Sequence, residues 1–205
     1  MEAWEATWSD LLMAKSIILV AGSPGAGKTT VLKEAGVSLD CKIVNMGTTM
    51  LEVGQKLGYV TDRDQIRYLS LKKFNEVRNK ALDEIEKVAG NILIDTHASV
   101  GENGRYLPGF PVSFLNKLGH VKGLIYIDAP TKDIIERRSD DPSRKREHDD
   151  AHTIDAQRLI NISMLSFASA YLNIPLYVVI NRQDSLRKTV AEIKGRVHEV
   201  LGASD

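Results

Sequence analysis

A glycine-rich segment near the start of the chain carries the residues best suited to chemistry. Residues Gly22-Ser23-Pro24-Gly25-Ala26-Gly27-Lys28-Thr29 match the pattern G-x-x-x-x-G-K-[ST] at every defined position. Glycines let the backbone wrap around an anion with N–H groups pointing inward, and a following helix adds its positive N-terminus. Lys28 then reaches the β- and γ-phosphates of a nucleotide, and the Thr29 hydroxyl is offered to Mg²⁺. The alternative is a glycine-rich turn with an incidental lysine.

The segments on either side of this loop predict the elements that must position it. Residues 16–21 form a short apolar run rich in branched side chains, which is typical of a buried strand. Residues 29–34 are compatible with a helix that stops at Gly36. The order strand, loop, helix is the one that a phosphate-binding loop requires.

A carboxylate and an imidazole follow a second apolar strand. Asp95 ends the run 91–94, and His97 stands two residues later. A carboxylate at a strand tip beside a phosphate loop is suited to hold Mg²⁺, directly or through a water. The alternative for the pair is turn capping by Asp95 and a surface imidazole at His97.

Cationic side chains are concentrated in two further segments. Five lysines and arginines fall within residues 137–146; guanidinium groups suit the spread charge of phosphoryl transfer, so a closing lid is predicted, although the interspersed acids also fit a solvated loop. Arg63 and Arg67 are four residues apart at the start of a predicted helix, where they could bind a second nucleotide's phosphate or pair with neighbouring acids. No residue stands out as a general base, which fits an acceptor phosphate that is already ionised.

The remaining pattern predicts an α/β fold. Further strands are predicted at 41–46, 91–95, 121–128 and 176–180, and helices at 48–57, 63–88, 131–138, 153–172 and 186–201. Asp62 is a predicted N-cap, and the glycines and prolines of 101–111 indicate a loop. Apolar strands alternating with helices imply a five-stranded parallel sheet covered on both faces, a three-layer α/β/α arrangement with ligands at the carboxyl ends of the strands.

Composition narrows the class of protein. Lys plus Arg and Asp plus Glu both number 27, so no global basic field favours nucleic acid. Cys41 is the single cysteine, which excludes an intramolecular disulfide and fits a reducing cytoplasm. No apolar run approaches the roughly 20 residues that span a bilayer, and no secretory signal pattern begins the chain. We therefore expect a cytoplasmic protein without a membrane partner.

Taken together, several short motifs resemble the archaeal type of adenylate kinase, a P-loop nucleoside monophosphate kinase. The resemblance runs from about residue 15 to 201, and its Asp-Thr-His and Tyr-Leu-Pro-Gly elements are the most selective. It implies a P-loop NTPase fold, reversible transfer between Mg-ATP and AMP giving two ADP, a short lid at about 138–150, an AMP-binding segment at about 47–90, and a homo-oligomer, usually a trimer. The motifs that carry it are Gly22 to Thr30, Asn45-Met46-Gly47, Thr61-Asp62-Arg63-Asp64, Ile94-Asp95-Thr96-His97, Tyr106-Leu107-Pro108-Gly109 and the segment 137–146.

The resemblance also implies roles for individual residues. Residues Gly22 to Thr30 correspond to the ATP phosphate site, with Thr29 and Asp95 as metal-linked residues, Asp95 through a water. The implied catalytic residues are Lys28, Arg137, Arg144 and Arg146. The implied AMP-binding residues are Thr48, Arg63, Arg67, His97 and Arg105. Relatives tend to carry a basic residue where Gly101 stands here, and Arg105 is the predicted substitute.

Two questions of organisation and function accompany this interpretation. Residues 1–12 precede the domain at 13–205 and are either a real extension or the result of a start assigned to Met1 in place of Met13; in a real extension, Trp4, Trp8, Leu11 and Leu12 follow helical spacing and form one apolar face. A second enzyme hypothesis changes the acceptor to CMP, UMP or a small metabolite. A hypothesis from another class is a nucleotide-driven ribosome or ribonucleoprotein assembly factor, which the neutral net charge does not favour.

Overall fold

The structure, a computed structural model, describes residues 15–102, 104–139 and 150–202. The predicted extension at 1–12, and Arg144 and Arg146 of the predicted lid, lie outside these residues. Five parallel strands form one sheet in the order β2-β3-β1-β6-β7, which confirms the predicted α/β fold. The bounds of these strands are Ile17–Gly22 (β1), Lys42–Asn45 (β2), Ile92–Asp95 (β3), Val121–Asp128 (β6) and Leu176–Ile180 (β7). A separate antiparallel hairpin joins β4 (Ser99–Glu102) to β5 (Arg105–Pro108).

Helices connect the strands and cover both faces of the sheet. No helix in the described part of the chain is long and apolar enough to cross a bilayer. The helices are Lys28–Gly36 (α1), Met46–Lys56 (α2), Leu71–Glu86 (α3), Val112–Lys117 (α4), Thr131–Ser139 (α5), Ala151–Leu172 (α6) and Leu186–Leu201 (α7), with a 3-10 helix at Asp64–Tyr68.

Alternation along the central strand divides the core into two layers. Ile17 and Leu19 of β1 face a large cluster that includes residues of α2, α3, α4 and α6. Ile18 and Val20 face a second cluster built with α1 and α7. Both sets are buried because successive strand side chains point to opposite faces. The sheet is therefore apolar on both sides, and polar groups are left to its carboxyl edge.

The single helix predicted from 63 to 88 is instead two helices. The 3-10 helix ends at Tyr68, Leu69 is extended, and α3 begins at Leu71. Ser70 breaks the helix because its hydroxyl accepts a hydrogen bond from the Lys73 amide and so caps a new N-terminus. The N-cap residue of the 3-10 helix is Arg63 and not the predicted Asp62, although the Asp62 carboxylate one residue earlier accepts from the amides of residues 64 and 65.

The region predicted as a loop at 101–111 is largely ordered into strands. Gly101 lies opposite Tyr106 in the β4–β5 register, and the tyrosine ring covers the glycine: a Cβ atom there would lie 2.7 Å from the ring. An aromatic ring over a glycine is a known way to stabilise such a pair. The glycines and prolines of this segment hid the two strands from the sequence prediction: Gly101 lies within β4, and Pro108 ends β5.

Candidate active site

The phosphate loop follows the central strand of the sheet. Gly25 and Gly27 have φ angles of 92° and 85°, values that favour glycine. Gly22 is also fitted closely, since a Cβ atom there would lie 2.6 Å from the carbonyl oxygen of Ile127. The loop thus takes the tight path that the motif predicts, between the ends of β1 and β6.

Two carbonyl groups of this loop accept hydrogen bonds from side chains of other elements. Arg138 donates to the Pro24 carbonyl through Nε at 3.2 Å and Nη2 at 2.7 Å. The Ala26 carbonyl accepts from Asn181 Nδ2 at 2.8 Å and from Arg137 Nη1 at 3.3 Å. Arg137, a predicted catalytic residue, also donates to the Asn181 carbonyl. Its guanidinium therefore braces the loop in this structure.

The first turn of α1 follows the loop directly, and its N–H groups have no side-chain cap. Gly27 is the N-cap residue. Uncapped N–H groups at a helix start attract anions, which adds to the positive end of the helix dipole. Thr29 and Thr30 are exposed in this turn, so the Thr29 hydroxyl is accessible.

Lys28 and Asp95 are brought together by adjacent parallel strands. The Lys28 ammonium donates to Asp95 Oδ1, and Asn45 Nδ2 donates to Asp95 Oδ2 at 2.7 Å. The carboxylate is buried at the end of β3. Both of its oxygens therefore have protein partners, one of them the lysine that the sequence predicts to bind phosphate.

Burial lowers the pKa of the Lys28 ammonium to about 8, and the positive charge of Arg63 adds to this shift. The Asp95 carboxylate opposes the shift, because an opposite charge favours the protonated amine. An incoming polyphosphate would favour the ammonium form in the same way. Each negative charge added near Lys28 therefore stabilises its protonated form.

Asn45 links this pair to the segment predicted to bind the acceptor. Its Oδ1 accepts from the Thr48 amide at 3.0 Å, which caps α2, and from Arg63 Nη2 at 3.4 Å. The guanidinium of Arg63 lies where a side chain on Gly47 would project. Thr48 and Arg63, predicted from the resemblance, therefore meet beside Asp95.

The other predicted acceptor residues have different positions. Arg67 forms an ion pair with Asp64, the alternative considered from the sequence. His97 is exposed just after Asp95, and Arg105 is exposed on β5. Their contacts with AMP stay predictions.

A metal ion at this site would need few protein ligands. Within the described residues, no three His, Cys, Asp or Glu side chains come together as a metal site. Asp95 and Thr29 supply oxygen donors, which suit Mg²⁺, an ion commonly bound by one or two protein groups together with substrate phosphates. The donor set fits the predicted metal.

Several residues of the site were absent from the predicted set. Asn45 ends β2 and Asn181 follows β7, both at the carboxyl edge of the sheet, a position that could have suggested them. Arg158 of α6 donates to Asp128 at the end of β6, to the Thr131 hydroxyl and to the Ala129 carbonyl. Only the fold reveals the ion pair between Arg158 and Asp128, because 30 residues separate the two along the chain.

Comparison with known proteins places the chain in a class. A family model described as an AAA domain matches residues 21–155. Shikimate kinase from Acinetobacter baumannii aligns with a TM-score of 0.60 at 15% identity, covering 96% of this chain and 98% of that one. Shikimate kinase from Bacteroides thetaiotaomicron aligns with a TM-score of 0.55 at 13% identity, covering 89% and 98%. These likenesses concern the fold, and together with the phosphate loop they define a P-loop α/β protein.

Sequence relatives narrow this class. Adenylate kinase from Methanothermobacter thermautotrophicus is 31% identical over 180 residues, 87% of this chain and 97% of the relative. Adenylate kinase from Methanopyrus kandleri is 33% identical over 181 residues, covering 86% and 94%. That from Methanocaldococcus jannaschii is 30% identical over 190 residues, covering 88% and 97%. The chain belongs to the adenylate kinase family, as its motifs predicted.

Proposed function

We propose that this protein transfers a phosphoryl group reversibly from Mg-ATP to AMP, giving two ADP. The observation that carries the proposal is the convergence at Asp95. Lys28 of the phosphate loop binds one carboxylate oxygen, while Asn45 binds the other and also contacts Arg63. A donor-phosphate residue and an acceptor-side cation thus share one carboxyl edge of the sheet. Membership of the adenylate kinase family supports the same activity.

On the donor side, the loop N–H groups and Lys28 bind the ATP phosphates. Thr29, and Asp95 through a water, would hold Mg²⁺, which when bound neutralises phosphate oxygens during transfer. The protein acts mainly by positioning two nucleotides and by stabilising charge. Arg137 is proposed to turn from the loop carbonyls toward the transferred group, joined by Arg144 and Arg146.

On the acceptor side, Arg63 and Thr48 are proposed to bind the AMP phosphate, with Arg67, His97 and Arg105 completing the site. An ionised monophosphate needs no general base to become a nucleophile. The carboxylate at the centre of the site is therefore not needed as a general base. Both oxygens of Asp95 are instead bound, one by Lys28 and the other by Asn45.

The test is ADP formation from Mg-ATP with no acceptor, then with AMP, CMP, UMP or GMP. Two lysines of α1 give matched variants. Lys28→Ala removes the site ammonium, while Lys33→Ala changes an exposed lysine on the same helix. We expect AMP to accelerate ADP formation selectively in the wild type and in Lys33→Ala, and Lys28→Ala to be inactive.

Each other result points to another function. Faster ADP formation with CMP or UMP than with AMP would show that the preferred acceptor is a pyrimidine nucleotide. Slow hydrolysis that ignores every acceptor would overturn the proposal and favour a nucleotide-driven assembly factor. Homo-oligomeric assembly stays a prediction that sedimentation velocity tests, and a cytoplasmic location stays one that cell fractionation tests.

A further inference from the structure

A chain of buried hydrogen bonds connects the phosphate loop with the β4–β5 hairpin. The hydroxyls of Ser23 and Tyr126 are 2.6 Å apart. Asn161 Nδ2 donates to the Tyr126 hydroxyl at 3.3 Å, and the Ser99 hydroxyl donates to Asn161 Oδ1 at 2.5 Å. We call this chain the hydroxyl relay. Its members lie on four different elements: the loop, β6, α6 and β4.

Burial makes each bond of the relay costly to break. All four residues are at most 5% exposed. A buried polar group that loses its partner is penalised much more than an exposed one, so the four side chains hold one another in a single arrangement. Burial also raises the pKa of the Tyr126 phenol, so its hydroxyl stays protonated and remains able to donate.

The relay has a direction, because an amide differs at its two ends. Asn161 presents its NH₂ group to Tyr126 and its carbonyl oxygen to Ser99. Between Ser23 and Tyr126 either hydroxyl can be the donor, so this last bond adapts to the proton that the amide leaves free. A change at either end therefore disturbs the bonds of the next member, and the effect passes along the chain.

The two ends of the relay belong to different halves of the site. Ser23 is the second residue of the phosphate loop. Ser99 opens β4, two residues after His97, and the hairpin carries Arg105. We propose that the hydroxyl relay couples the phosphate loop to the acceptor-side hairpin, with Tyr126 and Asn161 as positioning residues. The assignment of the hairpin to the acceptor rests on the proposed function; the coupling of the two segments does not.

The first test measures coupling without catalysis. Amide hydrogen exchange is followed in the hairpin, residues 99–108, with and without Mg²⁺ and a non-hydrolysable ATP analogue. Tyr126→Phe removes the central hydroxyl. Tyr177→Phe is the matched control, because its hydroxyl donates to Glu199 at an exposed place outside the relay. Ser99→Ala shortens the relay from its far end and replaces Tyr126→Phe if that variant does not fold.

We expect the analogue to slow hairpin exchange about fivefold in the wild type and in Tyr177→Phe, the low end of usual coupling between sites. In Tyr126→Phe and Ser99→Ala, slowing should stay confined to the phosphate loop. Equal hairpin slowing in the relay variants, or none in the wild type, would overturn the proposal. If the relay only stabilises the fold, the relay variants should melt at a lower temperature but show the wild-type slowing of hairpin exchange.

Steady-state kinetics separate this inference from the proposed function. Loss of alignment should lower kcat about tenfold in Tyr126→Phe while both KM values stay within about twofold. If the wild type makes no ADP from AMP, the proposed function fails and hydrogen exchange alone decides the relay. If ADP forms normally and Tyr126→Phe keeps wild-type kcat and wild-type hairpin slowing, the relay fails and the function stands.

Discussion

The guanidinium of Arg63 occupies the space into which a Cβ atom on Gly47 would project, so these two residues are fitted to each other. The same guanidinium contacts Asn45 Oδ1, which places it within reach of the Asp95 site. Gly47 lies in the first turn of α2, where its backbone angles suit any residue. The glycine is therefore needed for space and not for conformation.

Gly47→Ala should weaken the acceptor site by displacing Arg63. We expect KM for AMP to rise about tenfold, equivalent to about 1.4 kcal/mol, with KM for ATP unchanged. The matched control is Gly195→Ala, since a Cβ there would meet no atom within 4 Å apart from the adjacent backbone of its own helix. That change, in the interior of α7, should raise the free energy of unfolding by about 0.4–1 kcal/mol without altering kinetics. An unchanged AMP KM in Gly47→Ala would argue against Arg63 as an acceptor residue.

Asn181→Ala should affect both stability and ATP binding. Asn181 is buried, donates to the Ala26 carbonyl and accepts from the Thr189 hydroxyl at 3.1 Å. Its loss leaves the hydroxyl without this partner and loosens the loop, costing about 1–3 kcal/mol by denaturant unfolding. Calorimetric titration should show weaker binding of an ATP analogue.

Asn116→Ala is the control for this change, because that exposed amide accepts from the Tyr171 hydroxyl on the surface. We expect it to leave nucleotide affinity unaltered. A loss of stability in Asn181→Ala with unchanged analogue affinity would mean that Asn181 supports the core and not the loop.

Arg158→Met should destabilise the fold strongly. The side chain of Asp128 is 5% exposed, and one of its oxygens has no partner among the described residues. Removing Arg158 leaves this carboxylate buried and uncompensated, which costs about 3–5 kcal/mol. Chemical denaturation measures the loss, and Asp128→Asn added to Arg158→Met should recover part of it.

Arg196→Met is the matched surface change, since Arg196 and Glu199 are 43% and 54% exposed. Exposed pairs contribute roughly 0–1 kcal/mol. Similar losses in the two arginine variants would show that burial of the Arg158 pair adds nothing.

The thiol of Cys41 should react slowly with alkylating reagents. Burial, and secondarily the Asp40 carboxylate, raise its pKa from 9.0 to about 11. At pH 8 the folded protein should therefore hold roughly a hundredfold less thiolate than a cysteine with the unshifted pKa. Iodoacetamide labelling followed by mass spectrometry should show a rate that rises with pH until about 11.

Asp40→Asn should speed this labelling partly, because it removes the smaller cause of the shift.

The pH dependence of the free energy of unfolding should reflect the same raised pKa of Cys41. Between pH 9 and about 11 the unfolded chain binds fewer protons than the folded one, so the contribution of Cys41 to stability is lost as pH rises. Labelling at pH 8 as fast in the folded protein as in urea would contradict the raised pKa.

The sheet and the phosphate loop could be predicted because their signals are local. An apolar run of four to eight residues and a glycine motif need no knowledge of distant neighbours. The predicted closing helix, 186–201, has the same bounds in the structure. The break at Ser70 was missed because helical periodicity continues across it, although a serine before a leucine is itself a capping signal.

The contacts at the centre of the site could not be predicted in the same way. Asn45 meets Asp95 because β2 lies beside β3 with these two residues paired in register. Strand order decides this, and no local pattern specifies strand order. Likewise, Arg138 and Asn181 reach the phosphate loop only because α5 and β7 end at the same edge. Long-range geometry therefore supplies the partners of residues whose types the motif had already defined.

The side chains that bind the Pro24 and Ala26 carbonyls of the phosphate loop also bear on how nucleotides associate. Arg138 and Asn181 hold the loop backbone through the carbonyls of Pro24 and Ala26. Such a receptor is preorganised: it loses little conformational entropy when an anion enters. We therefore expect the donor nucleotide to associate fast. The favourable enthalpy of its charged hydrogen bonds should contribute to the affinity almost in full, because little entropy is lost in ordering the loop.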